Sequence, residues 1–308
     1  MRSKQELERS IRAHRRAVLV VNTLSRRGHR VAGQAAELLQ GRGLALTEVF
    51  LVKTPGDLAG VIKAAVAAGP ELVVVGGGDG TVSRVAGALA YQDTVLGLLP
   101  LGTTNNFARN VGIPSDLPSA VEVIVNGKVA DVDLGRAGDR LFTNVAGIGL
   151  SADVAAAVSP KVKHVLGRTA YTLSGAAELR RHQAFTADVQ TETTSLRVRT
   201  RQLVVANGGF HGGTRIGDDV VLDDRKLGLF WLGNASRTRF IVDLGMFILA
   251  PGRISRGPRF LSCARVSIST DPALTVELDG ELGPRTPISL SVAPEALKIM
   301  APPSFRDT

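Results

Sequence analysis

Leu72-Val73-Val74-Val75-Gly76-Gly77-Gly78-Asp79-Gly80-Thr81 is the stretch from which the fold can be read. Four apolar residues running into glycine predict a buried strand, and Val82 to Ala90 beyond them predicts a helix. Glycines at 76, 77, 78 and 80 permit a tight turn whose backbone N–H groups face outward at the start of that helix, which is a cradle for phosphate. The turn follows neither the Walker A nor the dinucleotide G-x-G-x-x-G spacing, and it holds no lysine. Asp79 is suited to organise magnesium and water or to accept a proton, and Thr81 to bond a phosphate or cap the helix.

Outward from this turn, Ala17 to Val21, Ala45 to Val52 and Val95 to Leu99 read as further apolar strands, with helices near Val31 to Leu39 and Pro55 to Ala68. Continuous apolar strands separated by helices predict a parallel sheet covered on both faces, a Rossmann-like α/β domain over residues 1–131. Thr54-Pro55-Gly56-Asp57 fits a helix start with Thr54 as N-cap. After Asp131 the pattern becomes β-rich: Arg140 to Val145, Phe185 to Val189, Ser195 to Ala206, Leu227 to Leu232, Arg265 to Ser269 and Leu274 to Leu278. This predicts an antiparallel sandwich or barrel over 132–292, interrupted by a helical insertion over 151–183. The tail, 293–308, is expected to pack back on the first domain.

The 308 residues are 44% hydrophobic, enough for two real cores. A single cysteine, Cys263, cannot form an internal disulfide, and five scattered histidines show no zinc spacing. The charged N-terminus precedes an apolar run too short for a secretory core or a membrane span, so a cytoplasmic location is expected. A net charge of +9, from 37 Lys and Arg against 28 Asp and Glu, favours an anionic partner. With 4% aromatic residues the stacking platforms of nucleic-acid binders are scarce, so no nucleic-acid partner is expected.

A second loop repeats the design of the first. Val95 to Leu99 leads into Pro100-Leu101-Gly102-Thr103-Thr104-Asn105-Asn106-Phe107-Ala108-Arg109, and two such loops at the carboxyl ends of parallel strands outline one ligand crevice. Taken alone, Asn105 and Asn106 read equally as turn and capping residues. Asp131-Val132-Asp133-Leu134-Gly135, Asn144-Val145-Ala146-Gly147-Ile148-Gly149 and Leu278-Asp279-Gly280-Glu281 follow in order. By itself the last reads as a polar hairpin turn before Ile288 to Val292, and Asp133 as a surface acid at a strand start.

As a set, these segments resemble the diacylglycerol kinase catalytic family, which includes bacterial soluble lipid kinases, sphingosine kinases and ceramide kinases. The resemblance runs from about Ala17 to Pro302. It implies a nucleotide-binding α/β domain, a β-rich domain for the lipid and catalysis in the cleft between them, with ATP and Mg2+ as cofactors. By motif match, Asp79 and Asp133 fall where the family has carboxylates that organise magnesium. Gly77, Gly78, Gly80, Thr81, Gly102, Thr103 and Asn105 fall on nucleotide-facing loops, joined by Asn22, Ser25 and Thr54 as candidates. Glu281 matches a glutamate proposed to deprotonate the lipid hydroxyl, and Glu281 and Asp79 are the two candidates for the base. The implied reaction converts diacylglycerol to phosphatidic acid.

The chain departs from the family at three places. Asn106 stands where an aspartate is usual, and Asn22-Thr23-Leu24-Ser25-Arg26-Arg27-Gly28 replaces Asn-Pro-x-Ser-Gly. Asp219 to Leu227 resembles a structural-magnesium segment, with Asp219 as candidate ligand and Arg225 in place of its glycine. Two alternatives remain: NAD kinase, which shares the first loop, and a nucleotide- or lipid-binding regulator with weak catalysis. Lys161, Lys163, Arg168, Arg180 and Arg181, interleaved with apolar residues, suit an anionic membrane, each cation contributing about 1 kcal/mol. Arg197, Arg199 and Arg201 would line one face of a strand, and Arg253, Arg256 and Arg259 add charge in a loop. Peripheral membrane association is therefore expected, and the oligomeric state is left open, with a homodimer among the options.

Overall fold

A computed structural model describes residues 2–24, 28–54, 56–157, 182–217, 220–233, 236–249, 252 and 257–307. Its first unit comprises Met1–Asp133 and Pro294–Thr308. Strands β1 (Arg16–Asn22), β2 (Ala45–Val52), β3 (Leu72–Gly77) and β4 (Val95–Pro100) pair in parallel in the order β2-β1-β3-β4. Val18 lies opposite Val73, and Val73 opposite Leu96. Both β3 and β4 are buried at every position, which is why their sequence is continuously apolar rather than alternating. The end of a long last strand joins beside β4 in parallel, with Ile299 opposite Leu96.

Helices α1 (Lys4–His14), α2 (Gly28–Gly41), α3 (Asp57–Ala67), α4 (Asp79–Leu89), α5 (Asn106–Val111) and α6 (Leu117–Asn126) complete this unit. Within it α2 packs beside α6 and α3 beside α4. α1 begins on a reciprocal capping box, in which Ser3 accepts from the Glu6 N–H and the Glu6 carboxylate accepts from the Ser3 N–H. The start of α3 corrects one expectation. The helix opens at Asp57, with Gly56 rather than Thr54 at the N-cap, and the Thr54 N–H donates to the Asp57 carboxylate at 3.0 Å. The short acidic side chain reaches back past Gly56, so the chain turns helical two residues later than the Thr-Pro pair suggests.

The second unit, Leu134–Ala293, is an antiparallel β-sandwich. Its strands are β5 (Lys128–Ala137, its C-terminal part), β6 (Arg140–Phe142), β7 (Val145–Gly149), β8 (Phe185–Thr191), β9 (Ser195–Thr200), β10 (Gln202–Ala206), β11 (Phe210–His211), β12 (Thr214–Arg215), β13 (Leu227–Leu232), β14 (Phe260–Cys263), β15 (Arg265–Asp271), β16 (Thr275–Leu278), β17 (Glu281–Arg285) and the first half of β18 (Ile288–Ala301). One sheet runs β18-β15-β8-β9, the other β14-β13-β10-β7-β16-β17. Phe142, Ile148, Phe185, Leu203, Leu229, Val266 and Leu290 belong to one buried core to which both sheets contribute. Cys263 lies in it as a free thiol, and burial pushes its pKa up to about 11. A second core gathers Val204, Phe230 and Leu232 against Phe240 and Phe247 of α8 (Arg237–Leu249).

The β-rich reading holds, with two refinements. The run Ser195 to Ala206 is two strands in different sheets, broken at Arg201. Arg197 and Arg199 are exposed on β9, but Arg201 is 6% exposed and donates through Nη1 to the His182 carbonyl at 2.5 Å. It therefore leaves the cationic face, because the chain turns at this residue to change sheets. The insertion expected over 151–183 begins as α7 (Leu150–Ala157); residues 158–181, with Lys161, Lys163, Arg168, Arg180 and Arg181, lie outside the described residues. Arg253 and Arg256 lie there too. Among the described residues no helix is long and apolar enough to cross a membrane.

Candidate active site

In the first unit the two glycine loops are held together. Gly77 ends β3, Gly78 is the N-cap of α4, and the Leu101 N–H donates to the Gly77 carbonyl at 3.0 Å. The backbones meet so closely that a Cβ on Gly102 would lie 2.5 Å from Gly78 Cα, and one on Gly78 3.0 Å from Gly102 Cα. Only glycine fits on either side of this approach. Asn105, at φ 47°, accepts from the Gly102 N–H at 2.9 Å and donates to the Gly102 carbonyl at 3.1 Å, so its amide builds the turn.

Asp79 joins the loops. Its Oδ2 accepts from the Thr104 hydroxyl at 2.8 Å and its Oδ1 from the Phe107 N–H at 3.1 Å. The second bond is an N-cap delivered from another segment, because Phe107 lies in the first turn of α5. Asn22 is also drawn in: its Nδ2 donates to Thr81 Oγ1 at 2.8 Å, linking the end of β1 to the first turn of α4. Thr81 is 5% exposed, whereas Gly80, Gly102 and Thr103 are exposed. No side chain caps α4, whose Thr81 N–H donates to the Gly78 carbonyl at 2.9 Å, and the positive dipole end of the helix suits an anion. The turn thus brings together Asn22, Gly77, Gly78, Asp79, Thr81, Gly102 and Asn105. Thr54 lies apart from these bonds, between β2 and α3, and Ser25, Arg26 and Arg27 lie outside the described residues.

Asp133 is not the surface acid that its strand-start position suggests. It is 1% exposed on β5, and its Oδ1 accepts from the N–H of Glu295, which sits at φ 49° within β18. This bond fastens the returning strand to β5 inside the first unit. Asn106, at 8% exposure, opens α5.

Among the described residues no group of three or more His, Cys, Asp or Glu side chains converges as a metal site. Magnesium asks for less, since it keeps several waters and takes one or two carboxylates plus substrate phosphates. The half-buried Asp79, whose oxygens retain lone pairs beyond their single bonds, fits that demand. Asp219 lies outside the described residues. Nearby, Arg225 adopts φ 56°, the left-handed conformation that its usual glycine favours, and the Asp224 carboxylate accepts from the Lys226 N–H at 2.9 Å.

In the second unit Leu278-Asp279-Gly280-Glu281 is a two-residue hairpin, but its partner strand is β17, not Ile288 to Val292. Asp279 and Gly280, at φ 49° and 86°, form a turn with both central residues left-handed, which suits the right-handed twist of the flanking strands. The Asp279 carboxylate accepts from the N–H groups of Thr143, Asn144 and Val145 at 2.6, 2.9 and 3.0 Å and from the Thr143 hydroxyl at 2.8 Å. Beneath it the Glu277 carboxylate, 5% exposed, accepts from the Gly280 N–H. Glu281 follows with its side chain 40% exposed, its Oε2 3.7 Å from Arg140 Nη2, while Arg140 also donates to the Leu282 carbonyl at 3.0 Å. A carboxylate raised to solvent on a doubly anchored turn is suited to accept a proton.

Sequence reasoning passed over Thr104, Glu277, Thr143 and Arg140. Nothing in Thr103-Thr104 tells which hydroxyl faces Asp79, and a glutamate in a strand reads as solvated.

Two joined glycine turns at the end of a parallel sheet form a place suited to a phosphate-bearing ligand. Residues 16–137 match the model of the diacylglycerol kinase catalytic domain, and residues 144–301 that of the YegS C-terminal NAD kinase beta sandwich-like domain. The chain belongs to the diacylglycerol kinase and YegS-like lipid kinase family. It is 29% identical over 245 residues to a diacylglycerol kinase of Bacillus subtilis strain 168, spanning 78% of this chain and 81% of that one. To a diacylglycerol kinase of Staphylococcus epidermidis it is 27% identical over 265 residues, 83% of this chain and 82% of the other. The crystal structure of a diacylglycerol kinase from Bacillus anthracis str. Sterne aligns with a TM-score of 0.76 at 23% identity, over 94% of this chain and 98% of that one. That likeness carries the fold.

Proposed function

We propose that this chain transfers the γ-phosphoryl group of ATP to the free hydroxyl of a membrane diacylglycerol, giving phosphatidic acid. The observation that carries the reading is the joined pair of loops, in which Gly78 and Gly102 meet backbone to backbone under the Asp79 bonds. Loops without Cβ atoms let phosphate oxygens approach backbone N–H groups, and the α4 dipole favours their charge. Bound magnesium would neutralise charge on the transferring group, with Asp79 as the carboxylate facing it. Asp133, sealed in β5, enters only as the second carboxylate of the motif match.

Glu281 accepts the proton of the lipid hydroxyl as the oxygen–phosphorus bond forms and the bond to the β-phosphate oxygen breaks. The Asp279 and Glu277 anchors hold the turn that carries it, so the base is placed before substrate arrives. Asp79, with both oxygens already accepting hydrogen bonds, is better suited to hold loops and charge than to take this proton.

The test is transfer of labelled phosphate from ATP to a panel of diacylglycerol, monoacylglycerol, sphingosine, phosphatidylglycerol and NAD. Labelled phosphatidic acid is the expected product, with turnover lowered about 10²- to 10⁴-fold in Glu281→Gln. Labelled NADP would overturn the lipid reading in favour of an NAD kinase, whose beta sandwich the second domain resembles. Nucleotide binding without any lipid product would assign the chain to the regulators.

A further inference from the structure

The helix α8 is apolar on the side where a surface helix should be polar. Its inner face, Phe240, Leu244 and Phe247, packs into the second core of the sandwich unit. Its outer face carries Ile241, Val242, Met246 and Leu249, exposed by 54, 50, 50 and 83%. At 100° per residue these side chains and Gly245 cover an arc of about 140° with no charge on it. A helix with apolar residues on both sides is one that expects a second apolar environment.

Charge marks one end of this face. Arg237 and Arg239 occupy the exposed first turn, and Arg199 is exposed on β9. Burial first, and then the neighbouring charges of Arg237 and Arg199, lower the pKa of Arg201. Asp243 on the same helix is neutralised by Arg239 at 3.0 Å and by Arg259.

We propose that α8 lies in the surface of an anionic membrane, its outer apolar face among the upper acyl chains and Arg237 and Arg199 at the headgroup phosphates. The choice of occupant rests on the lipid-acceptor reading above and on charge. An apolar stripe flanked by arginines matches the layered chemistry of a bilayer surface. A second copy of a chain with net charge +9 would instead bring like charge to like.

The experiment is co-sedimentation of the full chain with vesicles of equal parts phosphatidylglycerol and phosphatidylcholine, and with phosphatidylcholine alone. Binding is expected on the anionic vesicles and expected to weaken with salt. The double substitution Val242→Gln, Met246→Gln should weaken it about ten-fold or more, and Arg237→Gln several-fold on anionic vesicles only. Val49→Gln, which removes a 50% exposed valine from β2, should leave binding unchanged. Unchanged binding by a folded double variant overturns the proposal, as does a wild-type dimer that the double variant abolishes. Turnover of a short-chain diacylglycerol in detergent micelles reads the kinase separately. Activity there without vesicle binding sinks only the docking helix, and no activity with vesicle binding intact sinks only the acceptor.

Discussion

At the residue scale, Asp79 has an architectural task beside the chemical one proposed for it. Its carboxylate caps α5 from a distance and holds Thr104, so alanine at this position would untie the second loop as well as remove a charge. Asparagine keeps one acceptor oxygen and separates the two effects. Asp79→Asn is expected to retain most of the stability and to lose about 10²-fold or more in kcat, measured on diacylglycerol micelles beside a thermal melt. Asp279 is the contrasting case: it accepts from Thr143, Asn144 and Val145 and touches no proposed substrate atom. Asp279→Ala should cost about 3 kcal/mol or more in urea unfolding, because it leaves several amides without their acceptor. Asn106 offers a gain-of-function test. Asn106→Asp returns the carboxylate usual in the family to an 8% exposed site, and is expected to reduce the magnesium needed for half-maximal activity several-fold while lowering stability by about 1–2 kcal/mol in its absence.

At the element scale, the strand–turn–helix of residues 72–89 was legible because its signals agree: a four-residue apolar run, glycines and then a helix period. The identity of the hydroxyl bound to Asp79 was not, since it depends on how two loops far apart in sequence meet. α1 went unread because only Leu7 and Ile11 are buried among its charged residues, a stripe too thin to show as periodicity. The two apolar faces of α8 emerge only when the helical period is laid on the sandwich. The hairpin at Asp279-Gly280 was legible as a turn, though its partner strand was misjudged because Glu281 to Arg285 carries glycine and proline that usually break strands. Gly280→Ala, at φ 86°, should cost about 1–2 kcal/mol and, by tilting Glu281, lower kcat by more than that stability loss explains. Denaturation and kinetics on one preparation compare the two.

At the scale of the whole molecule, a charged latch holds α1 on the first unit. Burial alone would raise the Glu71 carboxyl, but bonds from His14 at 3.0 Å, Ser10 at 2.6 Å and Arg2 at 2.6 Å outweigh it and bring the pKa from 4.5 to about 2. A carboxyl depressed in the folded state contributes stability that is complete above its ordinary 4.5 and is lost as pH falls toward about 2. Glu71→Gln should therefore melt about 2–4 °C lower at neutral pH, for a latch of ~1 kcal/mol, and show a shallower loss of stability across that acid window. Scanning calorimetry at stepped pH checks both.

The chain passes between its two units twice, in β5 and in β18, and the parallel sheet of the first unit takes its last strand from residues beyond Pro294. Sequence order and completion order therefore differ between the two units. The sandwich, contiguous from Leu134 to Ala293, has all its strands once that segment emerges. The first unit, although it opens the chain, is complete only when Glu295 reaches Asp133 and Ile299 reaches Leu96. A chain truncated after Ala293 is expected to hold a protease-resistant sandwich and a protease-sensitive N-terminal half, read by limited proteolysis beside the full chain.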